Sequence, residues 1–226
     1  MTLDLPDEVV VPQASSGRDE DAVRPKDPLM KSMQTVAVES LDERLGSDDR
    51  TPQSLAAPER FVGYILSTIL GGGVSSRLFL KIREQAGLAY AVYSDQTLYA
   101  DAGCMTVYAG TSVDATPQVI GLILAEFRDL KANAVSAVEL RRAKDHLKGS
   151  LTLSLESTSS RMSNLARQEK YFRKWISLEE VHEGIEAVTA EQVQGLANSW
   201  FQQDTVALAV LGTLNGLQIE RADLAC

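Results

Sequence analysis

Only two histidines and two cysteines occur in this 226-residue chain, and that scarcity excludes much chemistry. His146 and His182 each lack another histidine within four residues, so no H-E-x-x-H or H-x-x-E-H zinc motif exists. A catalytic zinc usually needs three convergent protein ligands, and none is expected from this chain. Each histidine reads more simply as an exposed or half-buried helix residue. Cys104 falls in a predicted strand and Cys226 is the last residue, so no disulfide framework is expected and a reducing compartment is the default. Basic residues are also short, with 22 Lys+Arg against 31 Asp+Glu and a net charge of -9. Nucleic-acid binding needs clustered cations, and so does a polybasic membrane anchor. No apolar run approaches the roughly 20 residues of a membrane span. The start of the chain carries Asp4, Asp7 and Glu8 with no basic residue before them. It does not read as a signal peptide, so a cytoplasmic location is expected.

Proline is nearly absent after residue 58. Six of the seven prolines lie at or before Pro58, and residues 1–50 hold 12 Asp+Glu against 6 Lys+Arg. Low hydrophobicity with excess charge cannot offset the entropy of ordering. Residues 1–57 therefore read as an acidic, proline-rich tail or linker, with one candidate short strand at 34–38. Residues 58–226 read as one α+β domain.

Within that domain the local signals are strong. Phe61, Tyr64, Ile65, Leu66 and Ile69 recur at helical spacing after Pro58 and Glu59, and Gly71, Gly72 and Gly73 stop that helix. Ser75 or Ser76 is the expected cap of a second, short helix with Leu78, Phe79 and Ile82 on its apolar face, ended by Gly87. Residues 88–99 read as a strand, with Tyr90 and Val92 on one face and Ala91 and Tyr93 on the other. A turn at 101–103 and an alternating run over 104–110 complete an antiparallel hairpin. Thr116-Pro117 starts a helix. Ser136 with Glu139 has capping-box spacing, and Ser177/Glu180 and Thr189/Gln192 repeat it. Residues 205–211 read as a buried strand closed by Gly212. This order predicts an α+β fold, a mostly antiparallel sheet with helices packed on one face.

The triple glycine followed by Val74-Ser75-Ser76 lacks the G-K-[ST] ending of a phosphate loop, and a helix, not a strand, precedes it. A connection between two helices is the simpler reading. Arg83, in the last turn of the short helix, complements the helix dipole, and Tyr90 suits a strand. Beside those bland roles stands a functional one. A guanidinium and a phenol at one helix-to-strand corner can hold a peptide carbonyl, or stabilise the oxyanion formed when water attacks it.

Two segments, Leu70-Gly71-Gly72-Gly73-Val74-Ser75-Ser76-Arg77-Leu78-Phe79 and Ile82-Arg83-Glu84-Gln85-Ala86-Gly87-Leu88-Ala89-Tyr90, carry a family resemblance. Tyr108-Ala109-Gly110-Thr111, Leu147-Lys148-Gly149-Ser150-Leu151 and 155–162 support it in order and spacing. From about Pro58 to Gly212 the chain resembles the pitrilysin/insulinase family of zinc peptidases, which includes mitochondrial processing peptidase. The likeness is to the C-terminal, non-zinc-binding half of that family's paired domains.

The resemblance implies that Arg83 and Tyr90 match an arginine–tyrosine pair which acts with a zinc-binding H-x-x-E-H motif in the other half. The halves close around an extended peptide substrate. It further implies that Gly71, Gly72 and Gly73 match a glycine-rich substrate loop that is longer in the processing peptidase. No cofactor or metal ligand is expected in this chain, and zinc is expected in a partner half. The expected partner is that zinc-binding half, or a second copy by self-association. The expected function is the substrate-binding half of a zinc metalloendopeptidase, contributing Arg83 and Tyr90 to hydrolysis and inactive alone. The alternatives are a non-catalytic structural or assembly subunit, as in the core proteins of a respiratory complex, a truncated inactive homologue, or an autonomous enzyme built on His146 or His182.

Overall fold

The computed structural model describes residues 33–41 (backbone only), 59–98, 103–212 and 216–226. All of them belong to the unit Ser32–Cys226; the separate unit Met1–Lys31 lies outside the described residues. So does most of the expected tail or linker over 1–57. The exception is Met33–Leu41, strand β1, which extends the candidate strand at 34–38 in both directions.

Helix α1, Arg60–Gly71, buries Val62, Ile65, Leu66, Ile69 and Leu70, the three- and four-residue steps of one helical face. A short π-helix, Phe79–Gln85, follows. The hairpin comprises β2, Ala89–Leu98, and β3, Gly103–Ser112. The expected turn residues 101 and 102 lie outside the described residues. Next come α2 (Thr116–Ala132), α3 (Ala137–Ser154), α4 (Thr158–Phe172), α5 (Leu178–Glu186), α6 (Ala190–Trp200) and β4 (Val206–Leu211).

The caps explain several helix starts. Ser136, Ser157, Ser177 and Thr189 each accept the backbone N–H three residues on, and Thr189 with Gln192 forms a complete capping box. One expected cap differs. Ser76 turns back and donates its hydroxyl to the Gly73 carbonyl at 2.6 Å, tightening the glycine turn.

The described strands form one antiparallel sheet in the order β2-β3-β1-β4. Strand β1 thus bridges the hairpin to β4. On the inner face, Val92, Met105, Val107, Ala109 and Val206 are buried with Ile65, Val119, Ile123, Trp200 and others from the helices. Phe127 of α2 and Phe201, just after α6, stack at 4.0 Å between ring centroids. Each such side chain contributes about 1.5–3 kcal/mol on burial. Ser67 of α1 and Ser94 of β2 tie helix to sheet, with the Ser94 hydroxyl donating to the Ser67 carbonyl at 2.7 Å. The opposite face is open at Tyr90, Tyr93 and Leu211. Among the described residues no helix is long and apolar enough to cross a membrane.

Candidate functional site

The corner between the π-helix and β2 is built by unusual backbone on both sides. On the helix side the turns are wide: the Ala86 N–H donates to the Lys81 carbonyl at 3.1 Å, and the Leu88 N–H to Ile82 at 2.9 Å. Gly87 then adopts φ +63°, a conformation glycine accepts without a Cβ clash. The Thr111 hydroxyl donates to the Leu88 carbonyl at 2.5 Å, fixing the entry to β2.

On the strand side there is a β-bulge. Ala89 pairs with Thr111 and Ala91 with Gly110, so Tyr90 is an extra residue without an opposite. A bulge breaks the alternation of a strand and re-aims its side chains. Hence Tyr90 is exposed while Val92 is buried, and Tyr93 is exposed too. This corrects the expectation that Tyr90 and Val92 share one face. Tyr93 stacks on Tyr108 of β3 at 4.9 Å on the open side.

Arg83 and Tyr90 meet at this corner. The Arg83 guanidinium carbon lies 6.0 Å from the Tyr90 ring centroid and 4.9 Å from that of Phe79. Both residues are exposed, Tyr90 by 70%. Among the described residues neither the guanidinium nor the phenol has a hydrogen-bond or ion-pair partner. Phe79 joins this cluster, which the Arg83–Tyr90 pairing alone does not indicate. Its spacing of four residues from Arg83 was the available signal, since such pairs face each other on a helix.

Arg77, six residues before Arg83, is the opposite case. Its Nε and Nη2 donate to Glu139 at 2.7 and 2.9 Å, and its Nη1 to Asp129 at 2.6 Å. Glu126, 2% exposed, lies 3.7 Å from Nη1 and takes a further ion pair from Lys81. The hydrogen bonds to Glu139 chiefly push the Arg77 pKa above its usual value. The Asn133 amide, and then Arg77, hold the Asp129 carboxyl below the usual carboxylate range. One arginine anchors the segment to α2 and α3, and the other keeps its donors free among the described residues.

The three glycines occupy a different neighbourhood. A Cβ on Gly71 would sit 2.3 Å from the Ser94 nitrogen, and one on Gly72 would lie 2.6 Å from the Thr68 Cα. Close approach of backbones therefore requires both glycines. His146 lies 3.1 Å from the Gly72 carbonyl through Nε2, and it borders Gly73. A cavity of about 90 Å³ opens there, lined by Gly72, Gly73, Ser76, Glu139, Arg142 and His146. His146 and His182 stand on separate helices, α3 and α5. Among the described residues no group of three His, Cys, Asp or Glu side chains is placed to hold a metal ion.

The sequence profile of the family described as "Peptidase M16 inactive domain" matches residues 21–147. The chain is 42% identical over 147 residues to an "Uncharacterized zinc protease" of Bacillus subtilis, covering 65% of this chain and 36% of the relative. An "Uncharacterized zinc protease" of Mycobacterium leprae is 40% identical over 148 residues, covering 66% and 33%. The chain thus spans about a third of the length of these curated relatives. Among solved structures, the peptidase M16 inactive domain from Pseudomonas fluorescens superposes with a TM-score of 0.65 at 25% identity, covering 80% of this chain and 41% of that one. A chain of Complex III2 from Candida albicans shares the fold, with a TM-score of 0.72 at 18% identity, over 86% and 47%.

Proposed function

Because this chain belongs to the peptidase M16 inactive-domain family, we propose that it is the substrate-binding, non-zinc-binding half of a zinc metalloendopeptidase. The observation that carries this reading is the Arg83–Tyr90 corner, where two donor side chains stand together, exposed and without a hydrogen-bond partner among the described residues. The described residues do not fit a catalytic zinc, so the metal and its ligands belong, in this reading, to a partner half. An extended peptide is held between the two.

The part played by this chain is electrostatic. The scissile carbonyl oxygen accepts from the Tyr90 hydroxyl and an Arg83 N–H. As water adds to the carbonyl carbon, that oxygen gains negative charge and both hydrogen bonds strengthen. Because they are stronger in the transition state than in the ground state, they accelerate hydrolysis. The bulge matters here because it turns the Tyr90 side chain out of the core. Gly72 and Gly73 contribute the accessible part of the glycine turn to substrate contact.

The test is cleavage of a fluorogenic peptide by this chain mixed with an H-x-x-E-H half. Removing one oxyanion donor typically costs about 10²–10³ in kcat, and Tyr90→Phe and Arg83→Ala should each fall in that range. A rate unchanged by both substitutions would refute the assignment. A non-catalytic assembly subunit is the competing reading. It predicts stable binding to a partner with no cleavage in the mixture.

A further inference from the structure

We propose that Phe79 is the positioning residue of Arg83: its ring is the plate that holds the guanidinium beside Tyr90. The catalytic consequence rests on the reading above; the contact itself does not. Arg83 is exposed and makes no ion pair among the described residues, so its long side chain has no anchor other than aromatic rings. The nearer ring is Phe79, with the guanidinium carbon 4.9 Å from its centroid, against 6.0 Å for Tyr90. Both distances fall within the range at which a ring quadrupole attracts a cation.

The plate is itself fixed. Phe79 begins the π-helix and is half-buried, and its neighbours Leu78 and Ile82 are fully buried. Two residues before it, Arg77 binds Glu139 of α3 and Asp129 of α2. Phe79 and Arg83 are four apart and so stack along one helical stripe. A planar guanidinium resting on a ring keeps its N–H edge free to donate. Phe79 therefore orders Arg83 without consuming a donor, whereas a carboxylate would order it by occupying the fork. That difference separates Arg83 from Arg77 within one short segment.

The test has two arms on the full chain. In the first, the Arg83 Nε–H resonance is assigned by its loss in Arg83→Lys and followed by NMR. Ring current should displace it in the native chain, Phe79→Leu should reduce the displacement, and Phe79→Tyr should keep it. Phe79→Met serves if the leucine variant does not fold. In the second arm, with the zinc-binding half, Phe79→Leu should lower kcat about two- to five-fold, the scale of one exposed cation–π contact, at unchanged KM. Phe79→Tyr should restore it, and the effect should vanish in an Arg83→Ala background. An Arg83 resonance indifferent to Phe79→Leu would overturn the proposal, as would a kcat loss that persists in full without Arg83. If the resonance responds but neither Phe79→Leu nor Arg83→Ala alters cleavage, the positioning contact stands and the catalytic reading of the pair fails.

Discussion

Replacing Arg77 by methionine should destabilise the fold by about 3 kcal/mol. The Arg77 side chain is 15% exposed and serves three carboxylates at once. Methionine keeps much of the apolar stem, so the loss is mainly electrostatic. The bidentate pair with Glu139 and the single bond to Asp129 are charge-assisted, worth about 1.5–3 kcal/mol each when shielded. Glu139 and Asp129 are 28% and 42% exposed, so water recovers part of that. Glu126 is different: at 2% exposure it would keep only Lys81 as a cation among the described residues, and a buried carboxylate cannot turn to solvent. At about 2–4 °C per kcal/mol for a chain of this size, the midpoint should fall by about 6–12 °C. Thermal and urea melts followed by circular dichroism measure this for Arg77→Met, Glu139→Gln and the double variant. A coupling energy of at least ~1.5 kcal/mol between positions 77 and 139 is expected, since the residues touch. A coupling below about 0.5 kcal/mol would refute the idea that this network anchors the π-helix.

The glycines offer a paired test. Gly71→Ala drives a methyl to 2.3 Å from the Ser94 backbone and should cost at least about 1–3 kcal/mol. Gly121→Ala, inside α2 with nothing within 4 Å, should stabilise by about 0.5–1 kcal/mol; melts that rank the two the other way would contradict the packing. Acid should weaken the fold through Asp129, whose pKa is depressed first by the Asn133 amide and then by Arg77. The folded chain releases this proton more readily than the unfolded one, whose aspartate titrates near 3.9. Its contribution is therefore complete above about pH 5 and is lost as pH falls through about 4 and below. Asn133→Ala should flatten that acid limb in urea melts taken across pH 3–6.

The features legible in the sequence are local ones. Helix α1, the caps at Ser136, Ser177 and Thr189, the hairpin, and the juxtaposition of Arg83 and Tyr90 across a helix–strand corner all depend on residues a few positions apart. The central place of β1 was not legible, because its pairing to β3 and β4 joins segments far apart in sequence. Nor was the bulge, since an extra residue in β2 exists only relative to the register of Thr111 and Gly110. Read alone, β2 alternates, and that alternation placed Tyr90 with Val92. The partners of Arg77 lie 52 and 62 residues away, so nothing nearby distinguished it from Arg83.

By itself, then, the sequence determined most of the local elements, the family resemblance and the residue types at the corner, because these follow from spacing and motif. Which arginine meets carboxylates and which meets none among the described residues was decided only by the tertiary structure. A guanidinium's partners depend on where distant helices bring their carboxylates. Which way Tyr90 points was decided there too, because a strand's faces are assigned by pairing rather than by composition.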